Sequence, residues 1–101
     1  MNSDHTLTPL EEQFVTVASI HNGVYLLAAN DALRYVEECH RAGVDIFGVE
    51  GFKKFGEKIQ PLQEYSLVLD DSLNNYAVVE KFLHQYLHSD LWFEIVTSEW
   101  Q

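Results

Sequence analysis

Residues 31 to 51 read Asp-Ala-Leu-Arg-Tyr-Val-Glu-Glu-Cys-His-Arg-Ala-Gly-Val-Asp-Ile-Phe-Gly-Val-Glu-Gly, and this stretch decides the fold class. From Asp31 to Ala42, the residues Ala32, Leu33, Val36, Cys39 and Ala42 form one apolar stripe at helical spacing, with Arg34, Glu37, Glu38 and Arg41 mainly outside it. Asn30 is the expected cap and Gly43 the expected stop, because glycine enters the left-handed conformation that ends a helix without steric cost. That one glycine leads into Val44 to Val49, where Ile46, Phe47 and Val49 leave little polar alternation. Such a run is the pattern of a strand buried on both faces.

Upstream, Val24-Tyr25-Leu26-Leu27 is a short apolar run that reads as a buried strand feeding the helix. Before it, Thr8-Pro9-Leu10-Glu11 supplies a hydroxyl cap, a proline at the first helical position and a glutamate that completes a capping box. Leu10, Phe14, Val17, Ala18 and His21 continue at helical spacing, so a helix over about 9 to 21 is expected, with Asn22-Gly23 as its stop. A strand through Phe14 to Ser19, rich in β-formers, is the competing reading. Residues 1 to 7 read as a loose terminus.

Downstream, Glu50 to Lys58 is turn-rich, and Gly51 and Gly56 are candidates for the positive φ angles of a hairpin or bulge. After Pro61, alternation of Tyr65, Leu67 and Leu69 with Ser66 and Val68 marks the returning strand. Asp70-Asp71-Ser72 offers caps for a second long helix, in which Tyr76, Val79, Phe82, Leu83, Tyr86 and Leu87 keep helical spacing to about His88. Leu91 to Val96 is a final β-rich run. The expectation is one acidic domain over residues 1 to 101, an α+β two-layer sandwich. Its largely antiparallel sheet carries helices on one face, in ferredoxin-like β-α-β-β-α-β order plus an N-terminal helix.

The 101 residues carry 16 acids against six bases, a formal charge of -10, with acids in excess in every quarter of the chain. A field of that sign repels nucleic acid and anionic lipid and speeds encounter with a basic protein. No apolar run approaches the roughly 20 residues that cross a bilayer, and the start lacks the pattern of a signal peptide, so the expected location is cytoplasmic. The single cysteine, Cys39, implies no disulfide framework.

No arrangement of residues carries a catalytic signature. Cys39 lies on the apolar side of its helix, and His40 beside it points elsewhere. Gly48, Gly51 and Gly56 match no phosphate-binding spacing, and no serine sits in a nucleophile elbow. His84 and His88 stand at i and i+4, where two imidazoles can face one metal, but two ligands do not make a zinc site. Lys53, Lys54 and Lys58 alternate with Phe52 and Phe55 as a stacking site for single strands would, yet Glu50 and Glu57 border them, and a solvated hairpin loop is the expected reading. The chain is expected to be non-catalytic, with no cofactor, metal, nucleic acid or membrane partner.

Ala32 to Phe52 resembles small immunity proteins that protect bacteria from their own secreted toxins, in which a helix leads through glycine into a strand ending Ile-x-Gly-Ile/Val-Asp/Glu-Gly. The likeness is to the immunity proteins of tRNA-cleaving colicins, and Asn74 to Glu80 and Phe93 to Thr97 look like that family's last helix and last strand. Together the matching segments cover roughly half the chain, while the N-terminal helix and the loop from Lys53 to Pro61 depart from the pattern. The resemblance implies a cytoplasmic inhibitor whose acidic surface occupies the basic cleft of a nuclease toxin, standing in for phosphates. From charge, the candidate interface residues are Glu50, Glu57, Glu64, Asp70, Asp71 and Glu94, with Trp92 as a candidate aromatic anchor. A small regulatory or assembly domain, self-associating as a homodimer through a sheet edge, is the alternative to a monomer that binds a toxin.

Overall fold

A computed structural model describes residues 7–69 and 75–98. In chain order it contains α1 (Pro9–Gln13), β1 (Ser19–His21), β2 (Val24–Ala28), α2 (Ala29–Ala42), β3 (Ile46–Phe55), β4 (Lys58–Val68), α3 (Asn75–His84) and β5 (Trp92–Thr97). The five strands form one antiparallel sheet in the order β1-β2-β5-β3-β4. From β2 onward the β-α-β-β-α-β succession is present. The spatial order does not establish the ferredoxin-like arrangement, because β5 lies in the interior, between the two strands that α2 joins.

The N-terminal helix is much shorter than its periodicity suggests. The capping box forms as expected, with Thr8 Oγ1 accepting from the Glu11 N–H at 3.2 Å and Glu11 accepting from the Thr8 N–H at 3.0 Å. The helix nevertheless ends at Gln13, and neither a helix to residue 21 nor a strand from Phe14 to Ser19 is formed. Asn22 and Gly23 both have positive φ, 51° and 84°, which is the requirement of a two-residue hairpin turn whose twist matches its strands. Asn-Gly therefore starts a hairpin here instead of stopping a helix. It pairs Ser19 with Leu26 and His21 with Val24. Leu7 packs against the core, and the rest of the expected loose terminus lies outside the described residues.

Helix α2 begins at Ala29 with Ala28 as its cap and no side-chain cap bond, so Asn30 sits inside the helix. Gly43 closes it in the left-handed conformation, its N–H reaching the carbonyls of Cys39 and His40. Ala32, Val36 and Cys39 are fully buried as the stripe requires, but Ala42 is exposed and Tyr35 takes a core position. The proposed caps of α3, Asp70 to Ser72, lie outside the described residues. Helix α3 ends at His84, with turns from 85 to 88, so His84 and His88 do not share a helical face.

All three helices lie against one side of the sheet. Leu10, Phe14, Tyr35, Val36, Val79 and Leu83 form one core with Leu27, Ile46, Val49, Phe93 and Ile95. Phe14 tilts on Tyr35 at 5.3 Å, and Phe82 meets Phe93 edge-on at 6.1 Å. Two phenols tie neighbouring segments to this side: the buried Tyr25 donates to the Glu11 carbonyl of α1, and the half-buried Tyr76 to the Val44 carbonyl at 2.8 Å.

Strand β3 does not stop at Val49 but runs to Phe55, and β4 starts at Lys58, before Pro61. The turn shrinks to Gly56-Glu57, with Gly56 at φ 63°. Pro61 is tolerated because β4 is the outer strand of the sheet. Pairing is interrupted once: Val49 faces Leu67 but Gly51 faces Leu62, so two residues' advance along β3 is matched by five along β4. Ser66 anchors this bulge, accepting from the Gly51 N–H at 3.2 Å and donating to the Leu62 carbonyl at 3.0 Å. Gly51 serves by its missing side chain, since it is not among the positive-φ glycines. A Cβ there would sit 2.8 Å from the Tyr65 Cβ and against the Tyr65 carbonyl.

Candidate functional site

Strand alternation assigns the other face of the sheet. Opposite the core residues Phe93, Ile95 and Thr97, strand β5 presents Trp92, Glu94 and Val96. Across it, Trp92 pairs with Phe52, Glu94 with Glu50, and Val96 with Gly48. On β2 the residues of the same face are Val24 and Leu26, and on β1 Ser19 and His21.

This face is not uniformly open. Leu26 is 0% exposed and Phe52 5%, although neither belongs to the helix-side core. The cover comes from the far part of the β3–β4 hairpin. Residues 53 to 60 extend past the Trp92–Phe52 pair, where β5 begins. Run straight, they would leave the sheet at the end where β2 finishes. Instead the tip folds back across the face, and His21 Nδ1 donates to the Glu57 carbonyl at 3.1 Å. A carbonyl can only accept, so Nδ1 carries the hydrogen, while Nε2 meets the Ser19 hydroxyl at 2.7 Å. The arm also brings Lys54 Nζ within 4.2 Å of the Trp92 ring centroid, a cation–π contact.

Beside the arm the same face stays open as an apolar cleft of about 530 Å³. Phe47, Val68 and Val96 supply its hydrocarbon, Gln63 and Ser66 line it from the bulge, and among the described residues Glu50 is its one charged residue. Val68 is 91% exposed, and Phe47 and Val96 are 37% exposed. Among the described residues no ion pair or side-chain hydrogen bond engages Glu50, whereas Glu94 across from it is engaged within the fold.

The charge-derived candidates divide accordingly. Glu50, Glu94 and Trp92 share the face opposite the helices and are all half-buried. Glu57 is exposed in the arm's turn and Glu64 is exposed in the bulge. Asp70 and Asp71 lie outside the described residues. The apolar wall of the cleft was missed, although the signal was present. Val68 and Val96 are apolar at positions where alternation with Leu67 and Leu69, and with Phe93 and Ile95, directs the side chain away from the core.

Two phenols on the helix side have perturbed ionisation. Burial, reinforced by the Glu11 carboxylate, pushes the Tyr25 phenol well up, and burial, with Asp45 and Cys39 adding to it, pushes Tyr76 up. Both phenols donate to backbone carbonyls, a structural use. Among the described residues no group of three histidine, cysteine or acidic side chains is placed to hold a metal, and no helix is long and apolar enough to cross a membrane. The chain matches no protein-family model and no curated protein.

Proposed function

We propose that this chain is a non-catalytic immunity protein of the cytoplasm that binds a cognate bacterial toxin, a nuclease with a basic active site, and covers that site. The observation that carries the reading is Glu50, a carboxylate that no ion pair or side-chain hydrogen bond engages among the described residues, held half-buried on a strand in an apolar cleft, in a chain of charge -10. Fixed acids on a sheet approach a basic cleft without a large ordering cost, and the surrounding field accelerates encounter. The resemblance of residues 32 to 52 to toxin immunity proteins supplies the class of partner.

The reading in which the chain self-associates through a sheet edge has less support. One edge strand, β1, is three residues long, and the other, β4, carries both Pro61 and the bulge. These are devices that discourage edge-to-edge pairing.

Co-expression tests the proposal. The product of the adjacent gene should arrest growth when expressed alone, and this chain should relieve the arrest and co-purify with it. A harmless neighbour that does not bind this chain overturns the reading. With the toxin in hand, a variant carrying Glu50→Lys, Asp70→Lys and Asp71→Lys should associate about tenfold more slowly at low salt. An unchanged rate removes these acids from the interface.

A further inference from the structure

We infer that the cleft beside the arm is a receptor for one arginine side chain of a protein partner. Its aliphatic stem would pack on Phe47, Val68 and Val96, and its guanidinium would be held by Glu50. Three features of the cleft select that occupant. Its walls are hydrocarbon left exposed in the free protein, Val68 most of all. Among the described residues the one charge lining it is negative, and no lysine or arginine lines it to compete. At the bulge the Ser66 hydroxyl is already committed, donating to the Leu62 carbonyl and accepting from the Gly51 N–H, and the Gln63 amide, whose oxygen can accept, lines the same cleft as Glu50.

A long side chain with an apolar stem and a cationic head matches this layout, because it buries its methylenes while the head meets a carboxylate. Arginine is favoured over lysine on two grounds. Its planar guanidinium donates in two directions at once, to Glu50 and to Gln63, and it is more weakly hydrated than an ammonium, so entering a half-buried apolar site costs less. Its flat face also stacks on an aromatic ring such as Phe47. The backbone shapes the cleft as much as the side chains do, since the extra residues of β4 at 63 to 66 form one wall. This inference rests on the immunity reading only for the partner's identity.

Amide-resolved NMR titration with n-butylguanidinium, which carries the stem and head of arginine, tests the site directly. Guanidinium, n-butylammonium and 1-butanol are compared at matched ionic strength. Saturable shifts confined to residues 47 to 50, 63 to 68 and 96 are expected, with n-butylguanidinium binding more tightly than any of the three controls. Glu50→Gln should weaken it about fivefold, as for a partly screened ion pair. Val68→Ser, at a side chain already in solvent, should weaken it without altering the dispersion of the spectrum. Shifts that track ionic strength, equal binding of guanidinium or n-butylammonium, or indifference to Glu50→Gln would overturn the inference. A saturable site in a chain that binds no toxin leaves the cleft standing and removes the immunity reading. Toxin binding by a chain whose cleft ignores n-butylguanidinium does the reverse.

Discussion

The two faces of the sheet solve the same problem by different means. On one, α2 and α3 lay apolar stripes over Leu27, Val49, Phe93 and Ile95. On the other, the strands carry Leu26, Phe52 and Trp92 alongside Glu50, Glu94 and Val96, and the cover is a folded-back arm from the sheet itself. A helix covers a whole face because its stripe runs the length of the strands. An arm two strands wide covers part of a face and leaves the remainder as a cleft. Partial cover is what allows one face to hold the fold together and still leave an apolar cleft with a carboxylate open beside the arm.

Truncation on the two faces measures how complete each cover is. Phe93→Ala, at a ring with 0% exposure between α3 and the sheet, should cost about 3–5 kcal/mol in urea denaturation. Leu26→Ala is the sharper experiment. If the arm seals this position as the helices seal theirs, the cost should be about 2–5 kcal/mol and match that of Leu27→Ala beside it on the helix side. A cost well under 1 kcal/mol would mean that the arm lies loosely on the sheet. Gly51→Ala comes next, because its Cβ would press on the Tyr65 backbone at the bulge. It should destabilise by roughly 1–3 kcal/mol, and it should also disturb the cleft resonances. Gly56→Ala, strained by its positive φ but sterically open, should cost about 1 kcal/mol and leave them unchanged.

The helix-covered face was largely legible in the sequence, and the arm-covered face was not. Periodicity is a local signal, and α2, Gly43 and β5 are locally determined, so the helix, its stop and the last strand fall within a few residues of their expected positions. The first helix shows the limit of that method. Phe14, Val17 and Ala18 do keep helical spacing, but the hairpin at Asn22-Gly23 draws Ser19 to His21 into β1, and pairing with β2 overrides the weaker helical preference. Glycine was read as a source of positive φ at both Gly51 and Gly56. Gly56 needs that freedom, while Gly51 is required by a contact with Tyr65, which no local pattern discloses. The fold-back joins residues 21 and 57, and no turn signal encodes a hydrogen bond across that separation. Of the candidate site, charge alone pointed to Glu50 and Glu94. Their setting depended on strand register, which the sequence leaves open.

Alkaline pH probes the helix side with a smaller effect. The Tyr25 phenol, raised above its ordinary value of 10 first by burial and then by Glu11, keeps its proton in the fold where the unfolded chain has lost it. Its contribution is therefore fully present below pH 10 and is lost as pH climbs from there toward the folded-state value. Stability should fall more steeply above pH 10 in the wild-type protein than in Tyr25→Phe. At neutral pH that variant should cost about 1 kcal/mol for the hydrogen bond to the Glu11 carbonyl. Parallel pH profiles for the two proteins would assign the alkaline loss to other groups.

The smallest expected effect tests the arm at its tip. His21→Ala removes the donor to the Glu57 carbonyl and the partner of the Ser19 hydroxyl, both at the margin of solvent, so water replaces much of what is lost and global stability should fall by only about 0.5–1 kcal/mol. The informative readout is local. Amide protons of residues 53 to 60 should exchange faster in the variant, while those of α2 and β5 keep their protection, because opening the arm does not require opening the helix side.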